Sequence, residues 1–504
     1  MLSNSVLGTL YGWWLQSRVF AFLHAIFSVF SRAFSASAIV RFFTRPSRVE
    51  NAYENSLLAK LFHSIIHALM FLPKKLYESS ARARSGSVLI RVCSGSAVLN
   101  FEFLLGAFIF VMFAAPHSFW SNSYAFLASV GLFVLFGLLV ASGKREAFYP
   151  ESLGLPFLLF VMACLMSLLF TRDRSDSFRV LLFFITAFFL TFLIVADITD
   201  KKRLMKLMGF IYFAVLFTAL YAVYQRIVGV EVDMLLTDLA NNQGVPGRVF
   251  STLDNPNNYA EFLVLFTPLC AAFAMNVKNH SWRFLLCCGV ALPMLAMVMT
   301  YARGCWISIL IAAIVFVYFA ERKLIPIFFV VCLLAIPFLP DSVMTRVMSI
   351  FNSRDTSIAH RFYVWRGILM LLEDSHHWLT GIGLGPETFN IVYPAYARKW
   401  ATEGVFHSQM QYLELILEMG ALGFVSFMWL MFRSVKNAAC ALYRTADKQL
   451  KLPLIACCAA FVGIAADGFA EYIWYYPRVL FAFFILLGIC LAATRIARKE
   501  ECPQ

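Results

Sequence analysis

From Phe101 onward the chain repeats one pattern, a long apolar run followed by a polar break. A helix needs about 17–25 apolar residues to cross the hydrocarbon of a bilayer. Runs near 101–116, 124–140, 153–170, 178–195, 207–228, 259–275, 284–300, 305–320, 324–339, 412–432, 452–469 and 479–493 meet or approach that length, about twelve in all. In lipid no water serves the backbone amides, so runs of this kind must be helices that pair their amides internally. Composition agrees: 61% of the 504 residues are hydrophobic and 14% charged, against about 25% charged in soluble domains. So little charge cannot cover a water-facing surface, and the chain reads as an all-α integral membrane protein.

The net charge of +13 does not point to nucleic acid, because a nucleic-acid-binding domain gathers its bases into a polar stripe. Here they fall between the apolar runs. Lys144 with Arg145, Lys201 with Lys202 and Arg203, Lys278 with Arg283, Arg322 with Lys323, the bases from Arg433 to Lys451, and Arg495, Arg498 and Lys499 occupy alternate breaks. The positive-inside tendency makes that side cytoplasmic, with both termini on it. The other side carries the loops 116–123, 171–177, 229–258, 301–304, 340–410 and 470–478. The loop 340–410 is too long for a plain connector. Its centre, 361–373, reads as a helix with Trp365, Leu369 and Leu372 on one side.

Residues 1–100 stand apart from the polytopic region 101–504. No acid precedes Glu50, while Arg18, Arg32, Arg41, Arg45 and Arg48 punctuate Phe, Ala and Ser. Amphipathic helices on the inner membrane surface are expected, one of them over 56–77 with Leu57, Leu61, Ile65, Leu69 and Met70 on its stripe. The twelve Cys show no metal-binding spacing and mostly lie inside apolar runs, as small apolar residues do.

Arg248 and Arg303 lie in outer loops, against the charge bias, and His407 ends the large loop. The topology puts all three at one membrane face despite their separation in sequence. A guanidinium stays charged and binds phosphate oxygens through two parallel hydrogen bonds. A histidine there suits a hydroxyl near neutral pH. Together they suggest glycan transfer from a diphosphate-linked donor to a sugar hydroxyl. The plainer alternative is an interfacial arginine that reaches to lipid phosphate and a histidine that is only solvated.

Four segments carry a family resemblance. Arg248-Val249-Phe250-Ser251-Thr252-Leu253-Asp254-Asn255-Pro256-Asn257 resembles the "GR…GT…NPN" signature of the O-antigen ligase/polymerase superfamily, and Tyr301-Ala302-Arg303-Gly304-Cys305-Trp306 its "SRGAW" element. Arg361 and Trp365 with Gly381, Gly383 and Gly385 resemble its "R…W…GxGxG" segment. His407 with Leu413, Glu418 and Gly420 resembles "HNxxLxxxxExG". The core of the likeness is set at 241–435. Ala302 stands for the usual Ser, Ser408 for the usual Asn, and His376 and His377 where the family often has Pro.

The resemblance implies a GT-C-like transferase of about twelve spans in a bacterial plasma membrane, with no metal and no cofactor. It implies an undecaprenyl diphosphate-linked glycan as donor, and a glycan, lipid or wall polymer as acceptor. Arg248 and Arg303 would stabilise the leaving diphosphate, and His407 would take the acceptor proton or orient the hydroxyl. Arg361, Asn257, Glu261, Tyr393 and Glu418 are candidate substrate-binding residues, with Glu261 expected to orient Arg248 and Tyr393 to contact sugar. Asp467 and Glu471 are weaker candidates, expected to pair with Arg478 or a site arginine. Gly381, Gly383 and Gly385 read as a tight turn, since no strand–helix unit surrounds them. The rival classes are a lipid-linked glycan transporter or flippase, which would show repeated halves and midplane charges, and a non-catalytic assembly protein.

Overall fold

The computed structural model describes residues 6–38, scattered positions between 41 and 80, and 100–142, 144–145, 153–230, 247–348, 356–397 and 405–501. All elements among them are helical. At the N-terminus are α1 (Val6–Gln16) and α2 (Arg18–Ala36); the expected helix at 56–77 lies largely outside the described residues. Then come α3 (Phe101–Ala114), α4 (Asn122–Ala141), α5 (Gly154–Ser167), α6 (Arg174–Asp197), α7 (Lys201–Val228) and α8 (Pro256–Asn276). The pair α9 (His280–Gly289) and α10 (Ala291–Met299) follows, then α11 (Arg303–Glu321) and α12 (Ile325–Ala335). The large loop folds into α13 (Asp341–Met348), α14 (Thr356–Glu373), α15 (His377–Thr380) and α16 (Pro386–Val392). The chain closes with α17 (Gln411–Arg444), α18 (Lys448–Asp467) and α19 (Pro477–Glu501).

Among the described residues nine helical stretches are long and apolar enough to cross a membrane, and α3 and α5 are shorter apolar helices. One of the nine, Arg303–Phe338, runs through a non-helical residue at Glu321 (φ −159°, ψ 85°) that separates α11 from α12. The protein is thus an all-α, many-pass membrane protein. Burial ranks the helices: 94% of the apolar window of α19 is buried, 78% of α8 and 72% of α18, against 22% of α4 and 17% of α9 with α10. So α8, α18 and α19 form the centre. On it α11 packs against α18, α6 against α19, and α5 against α17. Phe160, Phe184, Phe427, Trp474 and Phe483 interlock as edge-on and tilted rings where these helices meet.

Ion pairs define one end of the bundle. Arg145 bonds Glu102 at 2.9 Å and Asp197 at 3.0 Å, Arg203 meets Glu102 at 3.0 Å, and Lys201 pairs with Asp447 and Glu500. The other end is tied by Arg478, which is fully buried and donates to the carbonyls of Ala115 (2.7 Å), Thr252 (2.8 Å) and Met112 (3.2 Å). A cation at the C-terminal carbonyls of α3 also meets the negative end of that helix dipole.

Within the large loop α14 has the expected helix, with its inner face shifted at one residue. Val364, Ile368, Leu371 and Leu372 are buried, whereas Leu369 is 57% exposed. Leu372 and the partly buried Trp365 join this inner face as expected, and Leu369 alone departs from it, because the helix packs on Phe389, Tyr393 and the start of α17 through Val364 and Ile368.

Candidate functional site

The site begins at the turn before α8. Asn255 is extended and its side chain accepts the amide of Asn257, with Pro256 at the first helical position. This N-cap followed by proline starts the helix abruptly. It also points Asn257 back at the loop, where its Oδ1 accepts from Arg248 Nη2. Arg248 Nε donates to the carbonyl of Thr300 at 2.7 Å. Two elements therefore hold the guanidinium plane. Burial pulls Arg248 down to about 10, Glu471 opposes that and Arg303 adds to it, so the group remains charged at neutral pH.

From Asn257 a polar chain crosses the face. Asn257 Nδ2 donates to Glu471 Oε1 at 3.2 Å, and Arg361 Nη2 donates to the same oxygen at 2.7 Å. Arg361 Nε donates to Gln409 Oε1 at 3.1 Å, and the Gln409 amide donates to His407 Nδ1 at 3.0 Å. The chain Arg248, Asn257, Glu471, Arg361, Gln409, His407 thus joins four segments far apart in sequence. Arg303, half-buried at the first turn of α11, lies close enough to Arg248 to act on its charge. The residue after it is glycine because a Cβ at 304 would stand 3.1 Å from Asp467 Oδ1. Cys305 and Ser308 donate to that carboxylate at 3.4 and 3.2 Å, docking α11 on α18.

Backbone strain concentrates here. Ser251, Asp254, Tyr301 and Gln409 all take left-handed φ between 52° and 72°, which costs a non-glycine residue of order 1 kcal/mol or more. Each sits in a turn that aims a site residue.

His407 has a half-buried ring packed on Tyr475 at 4.6 Å and Tyr472 at 5.6 Å. Burial, with Arg361 adding to it, pushes its pKa down to about 4. Because Nδ1 accepts the Gln409 amide, the neutral ring carries its hydrogen on Nε2.

Glu418 lies outside this polar chain. It accepts the Gly385 amide at 3.0 Å and the Tyr472 hydroxyl at 2.9 Å. Two residues on, Gly420 (φ 66°, ψ −166°) interrupts α17. The carbonyls of Leu417 and Glu418 then accept the amides of Ile382 (2.7 Å) and Gly383 (3.2 Å). Gly381, Gly383 and Gly385 all have positive φ and press on α17, Thr171 and Asp176. The glycine triplet is a backbone strap that fills the break at Gly420.

The remaining candidates divide. Glu261 is buried below Asn257 in α8, near Asp467 and Glu471, and its Oε2 has no hydrogen-bond partner. Tyr393 is drawn away from the face into the core of the large loop, stacked on Phe389 at 4.7 Å. Glu471 pairs with Arg361, not with Arg478. Gln409 and Arg346, whose Nε donates to the carbonyl of Tyr301 at 3.2 Å, were not singled out from the sequence. Among the described residues no three His, Cys, Asp or Glu side chains are placed to hold a metal ion.

Fold and site together define a many-pass helical membrane protein whose loops bring arginines, a histidine and carboxylates to one end of the bundle. Residues 288–428 match the family model described as O-Antigen ligase, so that this segment of the chain is similar to that family. The matched segment contains Arg303, Arg361, Tyr393, His407 and Glu418; Arg248, Asn257, Glu261 and Glu471 lie outside it. No curated protein matches the sequence.

Proposed function

We propose that the protein is a membrane glycosyltransferase that takes a glycan from a polyprenyl (undecaprenyl) diphosphate-linked donor and passes it to a glycan, lipid or wall-polymer acceptor at the outer face of a bacterial plasma membrane, as a surface-polysaccharide ligase or polymerase. The observation that carries this reading is the polar chain from Arg248 through Glu471 and Arg361 to His407. The end of the bundle rich in Arg145, Lys201 and Arg203 is the cytoplasmic one on charge grounds, which turns the site outward. Counting α11 and α12 as separate crossings and adding α3 and α5 gives the twelve-span topology.

The mechanism is displacement at the anomeric carbon. The acceptor oxygen forms the new bond as the bond from carbon to phosphate oxygen breaks, and the polyprenyl diphosphate leaves with the bonding pair. Arg248 and Arg303 face that growing negative charge, the stage at which fixed donors contribute most. His407, with its hydrogen on Nε2, is a donor that orients the acceptor oxygen rather than a base that strips it. The acceptor proton then passes to the departing diphosphate. The strap on Gly420 and the N-cap at Asn255 fix the positions of the two halves of the site, and positioning lowers the barrier further.

The test is reconstitution of the full chain in liposomes with a polyprenyl diphosphate-linked glycan. Transfer to an acceptor without net movement of the donor lipid across the bilayer is expected, and Arg303→Lys is expected to lose most of it. Lipid translocation without transfer would instead identify a transporter.

A further inference from the structure

A cavity lies beside Tyr472 and Tyr475, the rings on which His407 packs. It has a volume of about 220 Å³ and is bounded by the outer ends of α4, α6, α17 and α19, the glycine strap and the segment 472–477. Its lining mixes two chemistries. Phe406, Tyr472, Trp474 and Tyr475 supply aromatic rings, and Glu414, Glu418 and Arg179 supply polar groups. Because Tyr472 and Tyr475 also carry the His407 ring, this pair of rings joins the cavity to the end of the arginine chain.

The lining selects against the other ligands at hand. A diphosphate finds little to bind, because the one guanidinium among the lining residues, that of Arg179, is already paired with Asp176. An isoprenoid tail gains nothing from two carboxylates and an arginine, whose desolvation it would leave uncompensated. A sugar ring satisfies both parts, with its C–H face on an aromatic plane and its hydroxyls on the carboxylates. The volume lies below the roughly 300–1,000 Å³ of pockets for drug-sized ligands, which fits one sugar residue. The carboxylates are also held firmly. Glu414 accepts the Ser408 amide, and Glu418 accepts the Gly385 amide and the Tyr472 hydroxyl.

We propose that this cavity, lined by Glu414, Glu418, Arg179 and the rings of Phe406 and Tyr475, binds the terminal sugar of the acceptor and presents its hydroxyl beside His407. This rests on the transferase reading, and it gives the acceptor a place separate from the donor's arginines.

The test measures binding directly, so that it does not depend on turnover. The full chain in nanodiscs is titrated by saturation-transfer NMR with two soluble probes from the source's own envelope: the delipidated repeat glycan of the donor and the delipidated oligosaccharide of the envelope lipid. Binding of at least one probe is expected. Arg179→Ala and Phe406→Ala should each weaken it about tenfold while binding of polyprenyl diphosphate stays as in the parent, and Tyr443→Ala, exposed at the end of α17, should change neither. Absence of binding by both probes, or binding that both cavity variants leave within twofold, overturns the proposal. Binding that depends on the cavity in a protein that transfers nothing would uphold the site and overturn the transferase reading instead.

Discussion

Arg248→Lys keeps the charge and removes the fork, which makes it the sharpest probe of the site. In the native turn Nε serves the Thr300 carbonyl at 2.7 Å while Nη2 serves Asn257 Oδ1. These acceptors are held by different elements, the end of α10 and the start of α8, and a single ammonium cannot take both donor positions. At least one acceptor loses its guanidinium partner in a residue only 7% exposed, at a cost of about 1–3 kcal/mol in stability. The catalytic cost is larger if the guanidinium faces the leaving diphosphate: loss of one such donor is worth about 3–4 kcal/mol, or 10²–10³ in rate. The assay is the initial rate of glycan transfer in membranes, normalised to folded protein by fluorescence-detected size exclusion. A fall of about 100-fold in kcat is expected, with most of the protein still folded. Asn257→Ala leaves the bond to Thr300 but removes both the second anchor of Arg248 and the donor to Glu471, so a fall of at least about tenfold is expected, the loss of one hydrogen bond to a charged group being worth that much. Transfer by Arg248→Lys within threefold of the parent would refute the role assigned to the fork.

Three further outcomes follow from the geometry. If His407 donates through Nε2, His407→Gln, which keeps an N–H donor, should retain about ten times the transfer of His407→Ala; equal loss in both would favour a base. The folded pKa of His407, about 4, lies below its ordinary value near 6.5, so its contribution to stability is complete above about 6.5 and is lost as pH falls toward about 4. Transfer should accordingly show no limb near pH 6.5 from this residue, read from a pH–rate profile of parent against His407→Gln. Gly420→Ala puts a side chain at φ 66° against the Leu379 carbonyl, and should destabilise the protein by about 1–3 kcal/mol, seen as a lower melting temperature in detergent. A melting temperature equal to the parent's would mean that α17 is not interrupted there.

How much of this was written in the sequence depends on the distance over which each feature is determined. The apolar runs and the alternating basic breaks are local, and the helices fall where the runs do. The turn at Asn255-Pro256 is local too, because a capping side chain and a proline specify a helix start within three residues. Leu369 shows where local reading stops. Apolar residues sit on several sides of α14, and which side is buried is decided by Phe389 and Tyr393 from another part of the loop. Tyr393 was misplaced for the same reason, since an aromatic residue in an outer loop looks alike whether it faces sugar or packs the loop's own core.

The ligands of the polar chain were harder still. Arg361 and Glu471 are 110 positions apart, and no periodicity links them; only the meeting of α14 with the turn between α18 and α19 does. Gln409 carries no chemical signal at all, and its place in the chain comes from a left-handed turn (φ 56°) that brings its amide to His407 and its side chain to Arg361. Glu471 pairs with a site arginine, as its sequence context suggested, but its second partner was not foreseen. Its Oε1 alone accepts from both Asn257 and Arg361, so one carboxylate holds the anchor of Arg248 and the neighbour of His407 in register. A diphosphate donor of the kind proposed would compete with that carboxylate for guanidinium hydrogen bonds. The same charge that orders the site thus opposes a bound diphosphate, so binding of the proposed donor should loosen the link between the two halves of the face.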